Sequence, residues 1–183
     1  MKTFVEVGCC FFNTLRPLCD QGWRGIMIDP VKLALNQIEN HPNLTKLVCA
    51  IDTQIGTATL TKLKDEYYLD PNNRDHAGMS TIHPINVLRN NINYPEMLED
   101  IEVCTIPLSQ VLSMLDITTI DYLKIDAEGK DLDVLYSIDF DICDIKLIRV
   151  ESWHLGEEIL VDFLEKNHYF IEQFERDIIA IKI

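Results

Sequence analysis

At 183 residues, 47% hydrophobic and 25% charged, the chain has the size and composition of one globular domain rather than of a disordered or fibrous protein. Its net charge of −14, from 30 acidic and 16 basic residues, repels phosphate backbones and argues against nucleic acid as a partner. No apolar run reaches the roughly 20 residues that span a bilayer, and Glu6 interrupts any apolar stretch that could act as a signal peptide, so a cytoplasmic protein is expected. The six cysteines (Cys9, Cys10, Cys19, Cys49, Cys104, Cys143) show no C-x-x-C pair, and several lie in apolar runs; free buried thiols in a reducing compartment are expected.

Thr3 to Val7 reads as a first strand, closed by Gly8. Cys9 to Cys19 carries apolar residues at helical spacing, with Pro17 shortening the helix. Arg24 to Asp29 is a second buried strand, and Pro30 suits the first turn of the helix Val31 to Glu39. Leu44 to Ile51 is a third strand, and Gly56 to Leu60 a small extra one. From Asp65 to Glu99 the sequence is rich in Asn, Asp, Pro and Tyr with little periodicity, and a lid or substrate loop over about 65–100 is expected. Order returns with a strand at Glu102 to Ile106, a helix at Leu108 to Leu115, and a strand at Ile120 to Ile125. A helix follows at Lys130 to Ser137, then a strand at Lys146 to Val150 ending on Glu151, and a helix at Glu157 to Lys166. Tyr169 to Phe174 and Ile178 to Ile183 flank a tight polar turn and form an antiparallel hairpin.

Strands alternating with helices imply right-handed crossovers and a mostly parallel sheet covered on both faces. Five such strands and the closing hairpin make a seven-stranded Rossmann-like α/β domain covering residues 1–183. In such sheets the ligand sits beyond the carboxyl ends of the strands, where strand order reverses. All five parallel strands end in or beside an acid: Glu6, Asp29, Asp52, Asp126 and Glu151. A rim of like charges is unfavourable without a function for it.

Gly8 either lets the backbone approach a ligand or is an ordinary turn glycine; the full G-x-G-x-x-G pattern is absent. Asp29 stands where an acid accepts hydrogen bonds from ribose hydroxyls, or alternatively opens the next helix. Leu123 and Ile125 point to one face of their strand, and Tyr122, Lys124 and Asp126 to the other. Asp126 and Glu128, with Gly129 behind them, then reach the cleft to position a reacting group, act as a base or hold a divalent cation; capping the next helix is the alternative. Glu151 and His154 follow the fifth strand and could join them. His76 and His83 lie in the long loop and are the other histidines that could reach a site.

Ile120-Asp121-Tyr122-Leu123-Lys124-Ile125-Asp126-Ala127-Glu128-Gly129-Lys130-Asp131-Leu132-Asp133-Val134-Leu135 resembles the D-L-L-K-I-D-V-E-G-x-E-x-x-V-L block of FkbM-type S-adenosylmethionine-dependent methyltransferases. Val5-Glu6-Val7-Gly8, Gly25-Ile26-Met27-Ile28-Asp29-Pro30, Ala50-Ile51-Asp52 with Gly56-Thr57-Ala58, and Leu147-Ile148-Arg149-Val150-Glu151 are similar to that family's other strand motifs, in the same order. The resemblance implies a Rossmann-like methyltransferase fold that binds S-adenosyl-L-methionine and methylates a hydroxyl oxygen of a small molecule or glycan. It implies that Glu6 and Gly8 lie by the methionine part of the cofactor, Asp29 by the ribose, and Ile51 and Asp52 by the adenine. Cys9 and Pro30 adjoin these positions, and Asn13 and Thr14 offer further polar contacts. Asp126, Glu128, Glu151 and His154 are the candidates for chemistry, with or without a divalent metal.

The family carries a small or polar residue and a second glycine after the first motif, where this chain has Cys9-Cys10-Phe11-Phe12. Two rival readings stand beside the methyltransferase: a degenerate methyltransferase fold kept for binding, and a nicotinamide-dependent oxidoreductase. The missing glycine pattern and the closing hairpin count against the latter.

Overall fold

Every residue of Thr3–Val7 (β1) is buried, as befits a parallel strand covered on both faces. The computed structural model describes residues 1–83, 95–152, 157–174 and 176–183. The strands after β1 are Arg24–Ile28 (β2), Leu44–Leu47 (β3), Ala50–Ile51 (β4), Gly56–Leu63 (β5), Leu98–Ile106 (β6) and Thr119–Ile120 (β7). Tyr122–Ile125 (β8), Asp144–Ile145 (β9), Leu147–Glu151 (β10), Tyr169–Phe174 (β11) and Asp177–Lys182 (β12) complete them. The helices are Pro17–Asp20 (α1), Lys32–Gln37 (α2), Asp65–Tyr68 (α3), Arg74–Gly78 (α4), Leu108–Met114 (α5), Asp131–Tyr136 (α6) and Glu157–Lys166 (α7).

The main sheet has seven strands in the order β11-β12-β10-β8-β1-β2-β3. β3, β2, β1, β8 and β10 run parallel, and β12 is antiparallel to both β10 and β11. This is the expected Rossmann-like methyltransferase architecture with its closing hairpin. After β3 the chain crosses back to place β8 on the other side of β1, so strand order reverses between β1 and β8. Their carboxyl ends frame the crevice such sheets use for ligands.

On one face Val5, Val7, Leu123, Ile125, Ile148 and Val150 pack against Leu112, Leu135 and Leu164 of α5, α6 and α7. On the other, Phe4 and Met27 meet Cys19 and Leu35 of α1 and α2. None of the described helices is long and apolar enough to cross a membrane.

Three sequence expectations are corrected. Only Pro17–Asp20 of the stretch from Cys9 to Cys19 is helical, because proline fits the first turn and the preceding N–H groups find other acceptors. The third strand is two: β3 stays in the main sheet, whereas β4 pairs in parallel with the end of β6. The acidic stretch read as loop already contains the start of β6, which pairs antiparallel with β5 over eight positions from Gly56↔Thr105 to Leu63↔Leu98. Its acids are matched across the ladder: the Thr61 hydroxyl donates to Asp100 (2.7 Å), and buried Lys62 pairs with Glu99 (2.5 Å) and Asp65 (2.7 Å).

Leu60, Leu63, Tyr68, Ala77, Leu98 and Val103 form a second apolar cluster that packs on Val31, Ala34, Cys10 and Ala50. It seats β5, α3, α4 and β6 beside the carboxyl ends of β1 and β2.

Candidate active site

Gly8 has φ 76°, and a Cβ there would lie 1.7 Å from the carbonyl oxygen of Asp126. Its N–H donates to Ile28 O (2.9 Å), and the Asp126 N–H donates to Val7 O (3.0 Å). The glycine therefore serves the close approach of two strand ends, which brings Asp126 to the mouth of β1. The cleft beyond them is narrow, with a cavity volume of about 50 Å³, and opens to solvent. Gly8, Cys10, Asp29, Pro30, Ile51 and Asp126 line its sheet side, and Tyr68, Ala77, Gly78 and Thr81 line the side supplied by the insert between β5 and β6.

Asp29 is buried, and its two oxygens accept the N–H groups of Cys10 and Val31, both at 2.7 Å. Burial raises its pKa to about 6, and those two hydrogen bonds oppose the rise. The Val31 bond is the helix-opening role, yet the carboxylate also faces the cleft, and each oxygen keeps a further lone pair. Tyr68 Oη and Cys10 Sγ lie 3.3 Å apart against it.

Glu6 is fully buried behind the cleft rather than in its lining. Its Oε2 accepts the Leu15 N–H (3.3 Å), and its Oε1 lies 3.4 Å from Lys124 Nζ, which is 3.3 Å from Asp126 Oδ2. Burial raises the Glu6 pKa against the attraction of Lys124. Cys9 is buried among Phe4, Leu15 and Cys19, its thiol pushed up by burial, and it does not line the cleft. Asn13 opens on a separate surface groove with Phe11 and Leu69, and the Thr14 side chain hydrogen-bonds Glu6. Asp52 is engaged by the Thr53 N–H (2.7 Å) and by Lys130 Nζ (3.2 Å), outside the cleft lining.

The turn after β8 is tightly built. Glu128 (φ 49°) and Gly129 (φ 94°) both take the left-handed region, and buried Asp131 accepts the N–H groups of Ala127 (2.8 Å) and Gly129 (3.1 Å). Carboxylate oxygens of Asp126, Glu128 and Glu151 lie within 4.8 Å of one another, close enough for a divalent cation to bridge. Burial, then repulsion from Glu151, Asp126 and Asp131, raises the Glu128 pKa to about 8. Burial, then repulsion from Asp126, Asp131 and Asp177, raises that of Glu151 to about 8. A carboxylate with such a pKa is a stronger base than an ordinary one.

His154 lies outside the described residues. His83 is beside the acid turn: a Cβ on Gly129 would stand 3.3 Å from its Cγ. Thr81 holds it there, its hydroxyl donating to Glu128 O (2.8 Å) and accepting the His83 N–H (2.9 Å). Sequence reasoning passed over Tyr68, Thr81 and Lys124. Lys124 had a readable signal, a cation inside a buried strand on the same face as Asp126; the insert residues had none, because no periodicity marks a wall built from short helices.

Among curated proteins, none matches the chain in sequence. Residues 6–177 match the family described as the methyltransferase FkbM domain. With that match running over nearly its whole length, and the expected sheet beneath it, the chain belongs to the FkbM methyltransferase family.

Proposed function

We propose that this chain transfers a methyl group from S-adenosyl-L-methionine to a hydroxyl oxygen of a small molecule or glycan in the cytoplasm. One observation carries the reading: a cleft at the reversal of strand order with both Asp29 and Asp126 in its lining. That donor set fits the cofactor, since Asp29 offers acceptors to ribose hydroxyls and Asp126 a negative charge to a sulfonium. Pro30 and Ile51 supply apolar contact to the nucleoside end. When bound, the cofactor supplies a methyl group already activated on positive sulfur.

The protein's part is then alignment and proton removal. Lys124 fixes Asp126 from behind, and Tyr68 with Thr81 closes the cleft on the side of the insert. Glu128 or Glu151 takes the acceptor hydroxyl's proton on a carboxylate oxygen, with His83 beside the turn that carries Glu128. The stretch over about 65–100 acts as a lid or substrate loop and selects the acceptor. A divalent cation held by Asp126, Glu128 and Glu151 is a second reading, favoured by their 4.8 Å grouping.

Calorimetric titration with S-adenosylhomocysteine tests the first reading. Binding that Asp29→Ala weakens at least tenfold is expected. Binding of a nicotinamide dinucleotide instead would replace it with an oxidoreductase, and binding of neither would favour a degenerate fold. Loss of transfer on chelation, restored by magnesium, would select the metal-assisted form.

A further inference from the structure

β4 and β6 run parallel, with Ala50 opposite Thr105 and Ile51 opposite Ile106. Just before that register stand Cys104, inside β6, and Cys49, at the bend that enters β4, and both line one surface groove with Leu47, Ile55, Val111 and Met114. The adjoining pair Ala50 and Thr105 sits at the usual interstrand spacing of about 4.7–4.9 Å, and a disulfide accepts Cα separations of about 4.4–6.8 Å. The shared groove puts both side chains on one surface. Both thiols are free; Cys104 is exposed and Cys49 half-buried, whereas Cys9, Cys10, Cys19 and Cys143 are buried. Burial pushes the Cys49 thiol up to about 11, and the nearby Cys104 adds to the rise. Cys49 also lines the candidate cofactor cleft, so it sits in a wall shared by cleft and groove.

We propose that Cys49 and Cys104 are a redox pair that a peroxide closes into a disulfide, tying β4 to β6 at the back of the cleft. Exposed Cys104 reacts first: its thiolate attacks a peroxide oxygen, the O–O bond breaks, and the departing hydroxide is protonated to water. The Cys49 sulfur then attacks the sulfenic acid so formed on Cys104. The S–S bond forms as the S–O bond breaks, and the hydroxyl leaves with the Cys49 proton as a second water. Two electrons pass from the thiols to the peroxide. The assignment rests on the strands and the groove, and it holds whether or not the cleft takes the methyl donor.

The test treats the reduced full chain with one equivalent of hydrogen peroxide, quenches it, and maps the unreduced digest by mass spectrometry. The expected result is loss of two hydrogens from the intact mass and one crosslinked peptide pair joining Cys49 to Cys104, both reversed by dithiothreitol. Cys49→Ser and Cys104→Ser each abolish that pair, and Cys104→Ser, at an exposed position, melts like the reduced parent. A crosslink joining any other two cysteines, or Cys104 advancing to sulfinic acid with no crosslink, overturns the proposal.

Discussion

Replacing Gly8 by alanine probes the joint on which the cleft is built. Two penalties act at Gly8. Its φ of 76° is left-handed backbone, which an L side chain occupies at about 1–2 kcal/mol. The added Cβ would also stand 1.7 Å from Asp126 O and 2.7 Å from Asp126 C, both backbone atoms of β8's exit that no rotamer change can move. Relieving that collision means spreading the ends of β1 and β8, and overpacking of this kind costs about 1–3 kcal/mol, here at the upper end. The sum is about 4–5 kcal/mol, or a fall in Tm of about 8–20 °C for a chain of this size. Gly22 is the built-in control, since its φ of 84° is equally left-handed but nothing lies within 4 Å of an added Cβ. Gly22→Ala should lose only the backbone part, about 1–2 kcal/mol and about 2–8 °C. Urea and thermal unfolding of both variants measure the difference. Equal losses would show that the two strand ends do not meet as described, and the account of how Asp126 reaches the cleft would fail with them.

Lys124→Met should destabilise by about 3–5 kcal/mol because it leaves buried Glu6 without its cation, whereas the double variant with Glu6→Gln should recover most of that loss in urea unfolding. Glu128 and Glu151 have folded pKa values of about 8 against an ordinary 4.5, so the fold favours their protonated forms. Their contribution to stability is complete below about pH 4.5 and is lost as pH rises toward 8. Melting temperature should fall over that range, and Glu128→Gln should flatten the fall; an unchanged slope would remove the raised pKa from the argument. Thr81→Val deletes the hydroxyl that links Glu128 O to the His83 N–H, and limited proteolysis should then cut the insert between β5 and β6 at least several-fold faster.

The main sheet was legible because its strands are short apolar runs with sharp ends. Thr3–Val7, Tyr169–Phe174 and the helix Glu157–Lys166 fall on their sequence-read bounds. What was not legible depends on partners distant in sequence. The start of Leu98–Ile106, up to about residue 100, reads as loop by composition, and only the placement of Thr61 and Lys62 opposite Asp100 and Glu99 makes its acids tolerable in a ladder. Cys9 to Leu15 has helical spacing, but Asp29 and Glu6 capture the N–H groups of Cys10 and Leu15, and the chain runs irregularly to Pro17. In the site, the alternation of Leu123 and Ile125 against Lys124 and Asp126 was readable from period two, and the buried core on one face agrees with it. The wall formed by Tyr68, Ala77 and Thr81 was invisible, since it depends on where an aperiodic insert docks.

In sequence the acidic rim looked uniform: five strand ends, five carboxylates. In three dimensions it divides by what each carboxylate already holds. Glu6 is spent on Leu15 and Lys124, Asp52 on Thr53 and Lys130, and Asp29 on Cys10 and Val31 with some acceptor capacity left toward the cleft. These acids shape the loops that form the cleft, and their repulsion is offset by the donors they bind. Asp126, Glu128 and Glu151 are arranged differently, with oxygens grouped within 4.8 Å and with two of the three pKa values pushed up to about 8. Lys124 offsets only part of that repulsion, reaching Asp126 at 3.3 Å while Glu128 sits on a left-handed turn braced by Asp131. The fold thus supplies backbone donors to its structural acids and braces a backbone turn beneath the others. Under the proposed function, substitutions at Glu6 and Asp52 should change stability alone, and those at Glu128 and Glu151 should also change the pH profile of transfer.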